Sequence, residues 1–450
     1  MPAMLDGLRW LGLDWDEGPG LEGLERAGVD DAADYAVGGP HEPYIQSERL
    51  QLYRDAAEEL VRIGAAYSCN CTPERLEQVR REQRERKQQV MYDHHCRDLA
   101  PDAVCRDEPH VIRLKVPLSG QTIVPDIIRG DVVYDNDGIG DQILLKSDGF
   151  PTYHLAVVVD DHDMEITHII RAEEWISSTP KHIMTYQALG WEHPTYCHVP
   201  LVLGDDNKPL SKRHGATAIT EFLRQGYLPE ALLNFLALLG WAPGEGDEQE
   251  IFSRAELIER FDLCRVNKAA AVLSYDKLNW MNGMYIRQLP QSELLDRLLP
   301  FWQEAALVPD PCPEDLRASL IGIVPLVQER LTRLDQVIEW TRFLLDVIET
   351  PSAEKLVGKK MTPAESLGAL RRARALLADA KDYEEEPLEQ AMRALADELE
   401  IKAGQLFGII RWAVTGQKVA PPLFGSLVVL GHDRVLSRVD SAIEALAASV

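Results

Sequence analysis

The chain has 450 residues, 45% hydrophobic and 27% charged, the balance of a globular protein with two to four domains. Its 47 basic against 73 acidic side chains give a net charge of −26, which argues against broad nonspecific affinity for polyanions but leaves open the reading of one folded RNA through local basic strips and shape. Seven cysteines, an odd number in a large chain, argue against a secreted disulfide framework, and apolar runs such as 235–242 and 320–327 are far too short to cross a bilayer.

In chain order, residues 5–13 read as an apolar helical stretch with no cap before it, and no basic segment leads into an apolar leader. A helix is predicted from Ser47, with Leu50, Tyr53, Ala57, Leu60 and Val61 on one face and Gly64 near its end. The Arg, Glu and Gln run at 74–86 is expected to be a solvated helix. Alternation at 111–116 and 143–146 predicts strands, the latter before the turn Ser147-Asp148-Gly149. Ala156-Val157-Val158-Val159-Asp160-Asp161 reads as a buried parallel strand whose C-terminal end opens into a site. Helices and loops follow to about residue 215. Beyond residue 221 the pattern is almost wholly helical, with turns at 243–246 and 309–311, a linker at 356–363 and a break at 383–387. The expected fold is an α/β body followed by an all-α tail.

The sharpest motif is Lys208-Pro209-Leu210-Ser211-Lys212-Arg213-His214-Gly215. A cation cluster with a hydroxyl and a glycine suits a triphosphate: Lys212 can act as a point charge while pyrophosphate leaves, and Ser211 and backbone N–H groups can add hydrogen bonds. Taken alone, these eight residues could equally be a basic surface loop. The string is similar to the Lys-Met-Ser-Lys-Ser loop of class I aminoacyl-tRNA synthetases, in the Leu-Ser-Lys-Arg-His-Gly form of glutamyl-tRNA synthetases. It departs at the first lysine, which is Pro209 here with Lys208 beside it. Upstream, residues 152–162 resemble that family's strand beside the amino-acid pocket. Ile170-Arg171-Ala172-Glu173-Glu174-Trp175 with Ser178-Thr179-Pro180 resembles the following loop.

The resemblance implies that Tyr153 and Arg171 contact glutamate, although an ion pair is the ordinary fate of a lone arginine. It also implies that Glu174, Trp175, Lys208, Leu210, Ser211, Lys212 and Arg213 form the ATP site, with Lys212 and Ser211 catalytic. Further likenesses follow in order: Gln46-Ser47-Glu48-Arg49, Ile128-Arg129-Gly130-Asp131 in the insertion that grips the tRNA acceptor end, residues 227–234 and 277–283 in the stem-contact region, and Leu423-Phe424. The implied fold is a Rossmann-like class I catalytic body at 1–220 with an acceptor-binding insertion at about 62–145. A stem-contact helical domain at 221–290 and a helical anticodon-binding domain at 291–450 would follow. Glutaminyl-tRNA synthetases read the anticodon with β-barrels, and no run of short alternating strands follows residue 221. Arg411 and Arg330 match the family's anticodon-reading arginines, with Arg333 a competitor for the latter.

Cys69-x-Cys71, then Cys96 after 24 residues and Asp98, resembles the Cys-x-Cys-x24-Cys-x-His zinc set of some members; His94, His95 and Cys105 lie nearby. Cysteines that merely fill space are the other reading. The implied reaction uses ATP with Mg2+, and the implied partners are tRNA(Glu), ATP and L-glutamate. The family default is a cytoplasmic monomer with neither a membrane nor DNA as partner. No His-x-Gly-His string occurs, nor the family's Pro-Ser-Pro-Thr-Gly turn, and the first strand–helix–strand is expected to be missing. On that basis the chain as written is expected to form glutamyl-adenylate poorly, and a non-catalytic tRNA-binding paralogue is the alternative.

Overall fold

The computed structural model describes residues 2–26, 28–29, 32–99, 109–210, 218–381 and 383–449. They fall into two compact units, Met1–Ile219 with Leu233–Ser274, and Thr220–Leu232 with Tyr275–Val450. The strands are β1 (Ala66–Cys69), β2 (Val111–Leu114), β3 (Gln121–Asp126), β4 (Gly130–Asp135), β5 (Ile143–Leu145), β6 (His168–Ala172), β7 (Thr195–Val199), β8 (Val202–Leu203) and β9 (Ala271–Val272). All belong to the first unit.

β1, β2 and β5 form an antiparallel sheet, so the alternation at 111–116 and 143–146 gives strands as expected. The second sheet is mixed, in the order β4-β3-β7-β6: β3 and β4 are an antiparallel hairpin, whereas β7 runs parallel to both β3 and β6. Gly130 opens β4 with φ +73°, a left-handed turn conformation that glycine adopts without steric cost. Residues 62–145 thus supply strands to both sheets.

The helix Leu50–Arg62 puts Tyr53, Ala56, Ala57 and Leu60 on one buried face, which joins Leu114 and Leu144 in a core cluster. The run at 74–86 is the helix Pro73–Glu85. Thr72 caps it by accepting from the Arg75 N–H at 3.3 Å, and it buries no residue, as expected of a solvated helix.

One expectation is overturned. Residues 156–161 are not a strand but the middle of the helix Tyr153–Asp163. A short run of β-branched residues does not distinguish a buried strand from a buried helix, and tertiary contacts decide here. Leu155, Ala156, Val158 and Val159 are all buried, and Asp160 meets Arg49, Gln46 and Tyr53. The strands beside the pocket are β6 and β7 instead.

Among the described residues, the second unit contains helices and no strand. Its core runs from Leu228 to Leu446 and centres on fully buried Trp302, whose Nε1 donates to Thr341 Oγ1 at 2.8 Å. Buried Asn282 accepts from the Leu228 N–H at 2.8 Å and donates to Thr332 O at 2.7 Å. A Cβ on Gly226 would stand 2.5 Å from the Asp335 backbone nitrogen, so that approach requires glycine. The segment 356–363, expected as a linker, is a packed corner: Leu356 is fully buried, and the Gly358 N–H donates to Ser366 Oγ at 3.0 Å.

Candidate active site

The polar cluster at the mixed sheet is built around Arg171. It lies on β6 in register with His198 of β7. A guanidinium has five N–H donors, and neutral acceptors take three of them. Nε donates to His198 Nε2 at 3.1 Å, one terminal nitrogen to Tyr153 Oη at 3.1 Å, and the other to Thr179 Oγ1 at 2.9 Å. No carboxylate pairs with it among the described residues. One N–H on each terminal nitrogen is left over, the donor set that a carboxylate accepts.

Tyr153 begins the helix Tyr153–Asp163 and is 41% exposed; its ring lies 4.6 Å from that of Trp175. His154 Nδ1 stands 3.0 Å from His182 Nε2. Burial, then Lys181 and Arg171, lowers His154 to about 4, and burial above all holds His182 well below its ordinary value. Burial and neighbouring Asp160 push Asp161 up to about 6. On β3, Asp126 Oδ2 lies 2.7 Å from His198 Nδ1 and accepts the His198 N–H at 2.9 Å; both side chains are fully buried.

The Gln46-Ser47-Glu48-Arg49 motif holds the same helix from another side. Arg49, 3% exposed, donates through Nε to Asp160 Oδ1 at 2.7 Å and through a terminal nitrogen to Asp163 Oδ2 at 2.9 Å. Gln46 Nε2 and Tyr53 Oη also donate to Asp160, at 2.9 and 2.7 Å.

The other sequence-predicted residues are placed as follows. Glu174 is exposed and Trp175 half-buried in a short 3-10 turn, Glu173–Ser178. The neighbouring Glu173 is the anchored one: it pairs with Arg129 and accepts the Leu201 N–H at 3.2 Å. Lys208 is exposed beside Asp206, 3.7 Å away, and Leu210 is held by its N–H to Val202 O at 3.0 Å. Ser211, Lys212 and Arg213 lie outside the described residues, as does Cys105.

Cys69, Cys71 and Cys96 converge, with all sulfurs within 4.8 Å of one another. Asp98 does not join them: its side chain is 82% exposed and pairs with Lys115 at 3.4 Å. The fourth place is taken by the Tyr92 hydroxyl, 3.4 Å from Cys69 Sγ and 3.5 Å from Cys71 Sγ, which accepts the Cys96 N–H at 2.9 Å. Burial pushes Cys71 up to about 11. At Cys69 burial also raises the thiol, but hydrogen bonds from Tyr92 and Arg113 outweigh it and leave the net shift downward. Three thiols and a phenol oxygen are a donor set that suits tetrahedral zinc.

In the second unit, Arg411 is half-buried on the helix Ala403–Thr415, and its Nε has no hydrogen-bond partner. Burial, then the charge of Arg330, lowers its pKa. Arg330 is exposed, 5.6 Å from the centre of the Trp340 ring. Arg333 is paired with Asp335 at 3.0 Å, whereas Arg330 has no carboxylate partner among the described residues.

Sequence reasoning missed Asp126, His198 and Tyr92, and quoted Thr179 in a motif without giving it a role. Asp126 and His198 come from β3 and β7, so no spacing along the chain links them. Tyr92 offered a weak signal, four residues before Cys96.

Comparison with known proteins agrees with this arrangement. Residues 1–280 match the family described as tRNA synthetases class I (E and Q), catalytic domain, and residues 293–443 match an anticodon binding domain. A glutamate–tRNA ligase of Dehalococcoides mccartyi is 48% identical over 99% of this chain and 87% of its own length. One from Moorella thermoacetica is 43% identical over 98% of this chain and 86% of its own. The crystal structure of a glutamate tRNA ligase from Elizabethkingia meningosepticum, in complex with its amino acid, superposes with a TM-score of 0.82 at 29% identity, covering 98% of this chain and 89% of that one. Both the catalytic fold and the helical C-terminal region are those of that group, and the chain belongs to the class I tRNA synthetases for glutamate and glutamine, among the bacterial glutamate–tRNA ligases.

Proposed function

We propose that this chain joins glutamate to tRNA(Glu) in two steps. The glutamate α-carboxylate attacks the α-phosphate of ATP, supplied with Mg2+, and pyrophosphate leaves; a hydroxyl of the terminal ribose then attacks the glutamyl carbonyl and AMP leaves. The observation that carries the reading is Arg171, a part-buried cation whose partners are all neutral and whose two spare N–H groups suit one carboxylate. An amide in place of that carboxylate would leave the charge uncompensated, which favours glutamate over glutamine. Tyr153 contacts the same substrate. Trp175 and Glu174, with Lys208, Leu210, Ser211, Lys212 and Arg213, line the ATP side, where Lys212 and Ser211 steady the departing pyrophosphate. Residues 1–220 would be the catalytic body with its insertion at about 62–145, residues 221–290 the stem-contact domain and residues 291–450 the anticodon domain. There Arg330 and Arg411 would read unstacked bases.

The test is incubation with tRNA(Glu), ATP, Mg2+ and labelled glutamate. The expected result is labelled glutamyl-tRNA, with labelled glutamine unused, formed at a rate held down by the lack of a His-x-Gly-His string in this sequence. Tight tRNA binding with no charging would favour a non-catalytic paralogue instead.

A structural zinc held by Cys69, Cys71, Cys96 and the Tyr92 oxygen completes the proposal, with Tyr92 in place of Asp98. It would fasten β1 to the 92–96 turn and take no part in the reaction. Metal analysis should find about one equivalent of zinc, and Tyr92→Phe should weaken its retention against a chelator about tenfold, whereas Asp98→Asn should not. Less than about a tenth of an equivalent in the purified protein would sink the zinc site.

A further inference from the structure

Arg171 is held by a ring whose protonation both of its neighbours dictate. His198 is fully buried between Asp126 and Arg171. An ionised carboxylate only accepts, so the 2.7 Å contact with Asp126 Oδ2 requires a proton on Nδ1. A guanidinium only donates, so the 3.1 Å contact from Arg171 Nε requires a bare Nε2. Both contacts therefore select one neutral tautomer. An imidazolium would set an N–H against an N–H, and burial together with the Arg171 charge lowers the ring's pKa against the opposing pull of Asp126.

Asp126 is fixed in turn. Its Oδ2 also accepts the His198 N–H at 2.9 Å, and its Oδ1 accepts the N–H groups of Ile128 and Arg129 at 2.9 and 2.8 Å. Thr179 stiffens the far side: its Oγ1 accepts from Arg171 and donates to Trp175 O at 3.2 Å.

We propose that Asp126 and His198 are positioning residues for glutamate recognition. The chain Asp126–His198–Arg171 holds the guanidinium in one rotamer, with its two spare N–H groups facing the substrate carboxylate. This rests on glutamate being the ligand at Arg171. A free arginine side chain has many rotamers, and binding would have to freeze them; a chain of satisfied hydrogen bonds freezes them in advance. Neither residue touches the substrate, and both act through Arg171.

The test measures the Kd for L-glutamate by calorimetry with tRNA(Glu) present. His198→Leu, which removes the acceptor, should weaken glutamate about tenfold or more. His198→Gln, which offers an amide oxygen to Arg171, should recover at least half of that loss. A purely packing role would move the melting temperatures of the two variants and leave both glutamate constants alone. A second readout needs no variant. In protein labelled with 15N-histidine, His198 should show the neutral form protonated on Nδ1, and Asp126→Asn, whose amide can donate to Nδ1, should shift it toward the other tautomer. Failure of wild-type protein to bind glutamate would remove the substrate assignment and this inference with it. Wild-type binding together with an unchanged constant in a folded His198→Leu variant, or an Nε2-protonated His198 in the wild type, would overturn the positioning chain alone.

Discussion

Arg49 and Arg171 are both drawn into the first unit, and their N–H groups are satisfied in opposite ways. Arg49 is almost wholly buried and meets two carboxylates, Asp160 and Asp163. Arg171 is less buried and meets an imidazole, a phenol and a hydroxyl. The first set of partners cancels the charge, so it fastens the helix Tyr153–Asp163 to the start of the helix Leu50–Arg62. The second fixes the direction of the side chain and leaves its charge unspent. Burial alone would have ranked Arg49 as the more unusual residue, but the chemistry of the partners separates a fastening from a receptor.

The largest expected effect is on folding. Arg49→Met leaves buried Asp160 to the neutral donors Gln46 and Tyr53 and should lower the unfolding free energy by about 3 kcal/mol, read from denaturant curves, whereas Arg171→Met should cost less than about 1 kcal/mol. Equal losses would erase the contrast. Next, Arg171→Met should weaken glutamate about a hundredfold, since a charged and forked contact is lost. Arg171→Lys should not restore it, because a point charge cannot donate to His198, Tyr153 and Thr179 together.

The smallest effect concerns His154, which lies beneath Tyr153. Its pKa of about 4 in the fold is below the 6.5 of an unfolded chain, so unfolding takes up a proton across that interval. Stability contributed by keeping this ring neutral should be complete above about pH 6.5 and fall by about 1 kcal/mol as the pH drops to about 4, the shift being screened at a ring that is partly exposed. His154→Gln should flatten that slope, and an unchanged acid profile would show that His154 does not titrate this way.

The two arginines also show how far the sequence could be read. Arg171 was legible because a family motif surrounds it, and Arg49 because it closes Gln-Ser-Glu-Arg. What could not be read was which partners each would meet. Those come from strands and helices more than 100 residues apart for Arg49 and Asp160. The run at 156–161 was misread for a related reason: four apolar residues suit a buried strand or a buried helix equally, and only the capture of Asp160 by Arg49, Gln46 and Tyr53 decides. The helical second unit was easier, because the 3.6-residue repeat is local. Asp98 looked like the fourth zinc ligand by spacing alone, but its backbone leads it to the surface while Tyr92 folds back over the thiols.

The Asp126 carboxylate has a consequence beyond the pocket. One of its oxygens is spent on the hairpin turn, through Ile128 and Arg129, and the other on the ring that seats Arg171. Arg129 is tied as well to Glu173, two residues from Arg171. Hairpin tip and pocket therefore share a pivot and a strut, like the two jaws of one clamp. Residues 128–131 and the ring of His198 are joined through that single carboxylate by hydrogen bonds of 2.9, 2.8 and 2.7 Å.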